Sequence, residues 1–148
     1  MDEKLKPYLA IVEAAISQLK IDPVQARTES QGLWFLRRGS ASVEVKINTV
    51  QNISGTRRIL LLLSKIMEMP HNNREIFLST LLELNFQFVG EKFCRYEDGI
   101  YLVLARDIEG LDVAEVHQML TSFGLVADRF DDSLRERFGE KPSGQPSS

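Results

Sequence analysis

Gly39-Ser40-Ala41-Ser42-Val43-Glu44-Val45-Lys46-Ile47-Asn48 is the stretch on which the fold turns. Gly39-Ser40 is a tight-turn signal, and the residues after it alternate without interruption. Ala41, Val43, Val45 and Ile47 point one way; Ser42, Glu44, Lys46 and Asn48 point the other. A period of two with one dry and one wet face is the mark of a half-buried antiparallel strand. Before the turn, Leu33 to Arg38 reads as a shorter, aromatic-rich strand. After it, Asn52 to Gly55 is a second turn, and Arg57 to Met69 reads as a third strand, apolar on both faces in its first half through Leu60-Leu61-Leu62-Leu63. Three strands joined by two tight turns form a meander.

Helical periodicity frames it. Tyr8, Ile11, Val12, Ala15, Ile16 and Leu19 line one face of an N-terminal helix, which Pro23 stops. Residues 24–32 are polar and read as a loop. Beyond the meander, Asn72 and Glu75 form a capping pattern ahead of Ile76, Phe77, Leu81 and Leu84, and this helix is expected to end near Asn85. Phe86 to Arg95 and Ile100 to Ala105 read as a hairpin across Glu97-Asp98-Gly99. A last helix starts at Asp112 and carries the stripe Val113, Val116, Leu120, Phe123, Ala127, Phe130 and Leu134, with Gly124 a weak point inside it. The order α-β-β-β-α-β-β-α predicts an α+β fold: one antiparallel sheet with flanking helices, not a doubly wound parallel sheet. Residues 1–138 form one domain in this reading, and the Gly-, Pro- and Ser-rich residues 139–148 a disordered tail.

Composition narrows the function classes. The 148 residues carry 18 Lys and Arg against 21 Asp and Glu, a net charge of −3, so a nucleic-acid face is not expected. The longest apolar run, Ile100 to Ala105, is six residues, far short of a membrane span. Acidic residues at Asp2 and Glu3 argue against a secretory signal, and the expectation is a cytoplasmic protein. One cysteine excludes an intrachain disulfide framework.

No catalytic, cofactor-binding or metal-ligating set is expected. His71 and His117 stand on different elements without partners at ligand spacing. Cys94 has no base beside it in sequence, which suits a small buried hydrophobe. Asp107, Glu109 and Asp112 surround Gly110 but lack the cation-loop spacing, and Asp112 reads as a helix N-cap. Arg37-Arg38 and Arg57-Arg58 could meet as one basic patch for a small ligand or nucleic acid, which is the alternative function.

One feature asks for a partner. Tyr101, Val103 and Ala105 lie opposite Ile100, Leu102 and Leu104, and Leu33 and Phe35 lie opposite Trp34 and Leu36. A sheet apolar on both faces needs a cover on each, either a crossing helix or a second molecule. Trp34, Phe35, Tyr101 and Val103 are the candidate partner or dimer residues. Val103 and Tyr101 are expected at the interface of a homodimer.

Gly39-Ser40-Ala41 before an alternating strand, Met69-Pro70 before the second helix, Leu84-Asn85 closing it, and the Phe93–Leu104 hairpin before a long helix resemble the YbjN-like family of bacterial sensory transduction regulators. The resemblance covers roughly residues 5–135. That family is similar in fold to the class I type III secretion chaperones, which are small, acidic and dimeric and hold a partly unfolded client. The resemblance therefore implies a non-enzymatic protein-interaction module, binding a client through apolar sheet and helix surface.

Overall fold

A computed structural model describes residues 3–139. The expected tail lies outside the described residues, apart from Gly139.

The meander forms as the alternation requires. β1 (Leu33–Arg38), β2 (Ala41–Asn52) and β3 (Gly55–Glu68) pair antiparallel, and β3 pairs in turn with β5 (Gly99–Asp107), which carries β4 (Lys92–Tyr96). The sheet order is β1-β2-β3-β5-β4. Register puts Trp34 opposite Val45, Val45 opposite Leu62, and Leu62 opposite Leu104, so the dry residues of successive strands share one face. The helices are α1 (Lys6–Gln18), α2 (Pro23–Ala26), α3 (Arg74–Gln87) and α4 (Val113–Phe138). Val12 and Ile16 of α1, with Val116, Leu120, Phe123 and Ala127 of α4, are buried with that face in one core. The fold is the expected α+β sheet with flanking helices.

Local readings need five corrections. The strand expected over Phe86 to Arg95 is shorter: Phe86 and Gln87 continue α3, and β4 runs only from Lys92 to Tyr96. The loop 24–32 begins with a helical turn, α2, because Asp22 accepts a hydrogen bond from the Val24 amide at 2.9 Å while Pro23 fits the first helical position. The first half of β3 is not buried on both faces: Leu60 and Leu62 are buried, Leu61 and Leu63 only half-buried. The Asn72–Glu75 pattern does not cap α3. Asn73 takes the cap in the left-handed region (φ 57°) and makes no side-chain cap bond, while Arg74 Nε donates to the Pro70 carbonyl at 2.8 Å. Asn85 does not end α3, which runs two residues further to Gln87. Its amide bonds to the Phe93 backbone instead. The expected N-cap of α4 is present: Asp112 Oδ1 accepts from the Glu115 amide at 2.8 Å.

Gly124 has a packing reason. A Cβ there would stand 2.9 Å from Arg38 Nε, so the missing side chain admits the β1 arginine against α4. At the far side of the core, Glu13 of α1 closes the chain onto β1. Its carboxylate accepts from Arg27 Nε and Nη2, both at 2.6 Å, and from Trp34 Nε1 at 2.9 Å. The Arg27 hydrogen bonds hold the Glu13 carboxyl below the usual carboxylate range, outweighing its desolvation. A carboxyl lowered in the folded state stabilises above its unfolded value, and that contribution is lost as pH falls through the folded value. Glu13→Gln should therefore melt below the wild type at pH 7, with the gap closing at pH 3. Trp34, the single tryptophan, should report the same change by fluorescence. Equal gaps at both pH values would refute the assignment.

Candidate functional site

All the sheet-packed helix residues meet the face of Trp34, Val45, Leu62 and Leu102. The opposite face is open. Across it, Phe35 pairs with Glu44, Glu44 with Leu63, Leu63 with Val103, and Val103 with Lys92. A second row runs Leu33, Lys46, Leu61, Ala105, and a third pairs Lys65, Tyr101 and Cys94. Phe35 is 55% exposed; Leu61, Leu63, Tyr101, Val103 and Cys94 are half-buried by their neighbours. The apolar centre is Leu61, Leu63, Tyr101 and Val103 on β3 and β5, flanked by Lys65 and Lys92 and separated from Leu33 and Phe35 by Glu44 and Lys46 of β2, an extent by which an interaction surface differs from scattered surface leucines.

Of the expected partner residues, Phe35, Tyr101 and Val103 share this face. Trp34 does not: it is 2% exposed, in the core, with its indole bound to Glu13. The period of two makes neighbours in sequence opposites in space. Leu61 and Leu63 belong to the same surface, although the leucine run suggested a strand buried on both sides.

A second exposed apolar surface was not anticipated. On α3, Phe77 and Leu81 face the core, and Phe77 meets Phe138 edge to face at 5.0 Å between centroids. Leu78, Leu82 and Phe86, at four-residue spacing, form the outer ridge with Val89 beyond the helix end. Leu82, Phe86 and Val89 are 69%, 93% and 92% exposed. Ile76, expected in the core stripe, is 57% exposed. The signal was present in the sequence: α3 is apolar on more than one side, which ordinarily marks a helix buried on more than one side.

The two arginine pairs do not form one patch. Arg37 pairs with Ser42 and Arg57 with Val50, so they stand at opposite ends of β2, about 26 Å apart at ~3.3 Å per residue. Cys94 is half-buried, and desolvation pushes its thiol up, away from the thiolate. His71 lies on the β3–α3 connection and His117 on α4, remote in the chain order. Asp107 Oδ1 accepts from the Glu109 amide at 2.9 Å, a turn bond. Among the described residues, no group of three His, Cys, Asp or Glu is placed to hold a metal, and no helix is long and apolar enough to cross a membrane.

Residues 8–144 match the family model TY-Chap1, described as T3SS (YopN, CesT) and YbjN peptide-binding chaperone 1. The chain belongs to this family. Its role is that of a chaperone-like protein-binding module, the function the YbjN-like resemblance implied. Three solved structures share the fold. The HopA1–SchA chaperone–effector complex matches at TM-score 0.64 and 13% identity, covering 90% of this chain and 99% of that one. The ExsC–ExsE complex matches at TM-score 0.63 and 12% identity, covering 90% and 97%. The ExoT–SpcS complex from Pseudomonas aeruginosa matches at 0.59 and 14%, covering 88% and 99%. No curated protein matches the chain.

Proposed function

We propose that this TY-Chap1 chain is a cytoplasmic, non-enzymatic homodimer that holds an extended segment of a protein client, with residues 1–138 as the working domain. The client covers the open sheet face, and the second copy covers the outer ridge of α3. The observation that carries this reading is the apolar face of Phe35, Leu63, Tyr101 and Val103, over which none of the sheet-packed helices lies. Supporting it, the charged residues among and beside those apolar side chains are predominantly cationic, with Lys46, Lys65 and Lys92 against Glu44, and so complement a client segment carrying acidic residues.

The α3 ridge has the opposite character. Leu78, Leu82, Phe86 and Val89 present little charge, which suits a self-complementary contact about a two-fold axis. The ligand or nucleic-acid alternative loses its basis with the separation of the arginine pairs.

Two variants separate the surfaces. Light scattering at micromolar concentration should give about twice the 16.8 kDa chain mass. Leu82→Glu should give a folded monomer, while Val103→Lys should remain a dimer and lose client binding. The client is represented by the tightest binder from a displayed library of random peptides. A wild-type monomer would end the dimer reading. If Val103→Lys dissociates the dimer, the hairpin face is the subunit contact instead. A library that yields no binder counts against peptide holding altogether.

A further inference from the structure

One turn of α3 carries the exposed ridge on its outside and the support of the open face on its inside. Leu82, Phe86 and Val89 are exposed. Interleaved with them in sequence, Asn85 and Phe88 reach inward to β4. The Asn85 amide brackets Phe93: Oδ1 accepts from its N–H at 2.7 Å and Nδ2 donates to its carbonyl at 3.2 Å. Phe88, at the C-terminal cap of α3, closes a triangle of rings with Phe93 and Phe130, centroids 5.5–5.7 Å apart.

β4 depends on this clamp. It is a five-residue strand at the edge of the sheet, and Phe93 is its one buried side chain. Since Asn85 takes both polar backbone groups of Phe93, that residue and Leu102 are a non-hydrogen-bonded pair. Alternation then leaves the ladder bonds to Lys92–Val103 and Cys94–Tyr101. These two pairs form the β4 border of the open face, and Lys92 and Cys94 flank Val103 and Tyr101 only while β4 is seated.

The clamp itself is lightly anchored. Phe77 and Leu81 are the fully buried side chains of α3, and both precede the turn that carries Asn85. A short edge strand held by a helix end with an exposed apolar outer side is where local opening concentrates.

We propose that docking of a second copy on the α3 ridge seats β4 and thereby tightens peptide binding on the open face, with Asn85 the positioning residue that connects the two surfaces. A partner helix on Leu82, Phe86 and Val89 immobilises the turn from which Asn85 and Phe88 reach β4. The two states are β4 seated and β4 frayed, and both the second copy and the peptide favour the seated one. By linkage, each bound peptide tightens the dimer by the factor with which dimerisation tightens peptide binding. A factor of about five corresponds to β4 being seated in roughly one fifth of isolated chains. The proposal rests on the reading of a peptide-holding homodimer and adds how one of its surfaces regulates the other.

The test titrates the full chain with the tightest library peptide, at protein concentrations above and below the dimer dissociation constant. Binding should be about fivefold weaker for the dissociated wild type and for the Leu82→Glu monomer. Asn85→Ala, held at a concentration where it is dimeric, should bind about fivefold more weakly than the wild-type dimer. Combining it with Leu82→Glu should weaken binding no further, because both changes unseat the same strand. Hydrogen exchange at the Phe93 amide should be slow in the wild-type dimer and fast after dilution, a readout that needs no substitution and decides the matter even if Asn85→Ala does not fold. Equal peptide affinity in dimer and monomer would overturn the coupling while leaving the dimer and the chaperone reading intact. Losses that multiply in the double variant would mean that the peptide touches the second copy directly, and would overturn the role of Asn85. A wild type that never dimerises, or a library without a binder, overturns the proposal together with the reading beneath it.

Discussion

Phe77→Ala should destabilise the domain by about 3–5 kcal/mol, the range for emptying a fully buried phenylalanine site. Phe77 has no exposed surface and is one of the two α3 side chains that are fully in the core, the other being Leu81. Its ring meets Phe138 at the last residue of α4, so the loss falls on the contact that docks α3 against the end of that helix. The site is peripheral to the sheet and cannot collapse around the void without moving α3. Undocking α3 would also displace Asn85, and with it the amide that closes the edge of β4. Chemical denaturation should show the lower midpoint, and hydrogen exchange should show α3 and β4 losing protection together. A cost under about 1 kcal/mol would mean that α3 is not held to the core through this ring.

Gly39→Ala should cost about 2–4 kcal/mol, large for the addition of one methyl group. The residue has φ of +60°, which an L side chain adopts only under strain. A Cβ would also stand 2.4 Å from the Asp128 carboxylate, the group that binds the Ser40 amide and hydroxyl. Either the turn lifts or both hydrogen bonds break. In an Asp128→Ala background the collision is gone and only the backbone strain remains, so the same substitution should cost about 1 kcal/mol. Additive losses would show that Asp128 and the turn are uncoupled.

Much of the architecture was legible because it rests on local periodicity. The alternation from Ala41 to Ile47 specifies a strand and its dry face without reference to anything else, since a slip of one residue would expose every one of those side chains. The α4 stripe from Val113 to Leu134 is equally self-sufficient, and Asp112 marks its start. Errors gathered where local signals compete. Asn72 and Asn73 are equivalent as capping residues in sequence; Arg74, reaching back to Pro70, accompanies the turn in which Asn73 takes the left-handed position. Asn85 suits a helix end by propensity, yet its amide serves the backbone of Phe93, a residue eight positions on.

The candidate site was half legible for the same reason. Phe35, Tyr101 and Val103 were marked by apolar residues where an alternating strand should be polar, which composition and period alone reveal. Trp34 was grouped with them because both faces of β1 looked apolar; Glu13, remote in the chain, is what receives its indole and seats it in the core. Leu78, Leu82 and Phe86 repeat every four residues, but no sequence rule says which of two apolar helix faces meets the core. That depends on where Phe138 arrives.

The sequence by itself determined the strands and the long helices but not the helical turn α2, together with their order, the one-sheet α+β class and the presence of more apolar strand surface than one core could use, because hydrophobic period and turn chemistry act within a few residues. Only the tertiary structure decided which face stays open, that α3 carries an exposed ridge, and that β3 outruns β2. Those outcomes depend on contacts between Ser40 and Asp128, Asn85 and Phe93, Ile66 and Arg135, groups brought together by the packing of whole elements, whose separation along the chain leaves no local pattern to read.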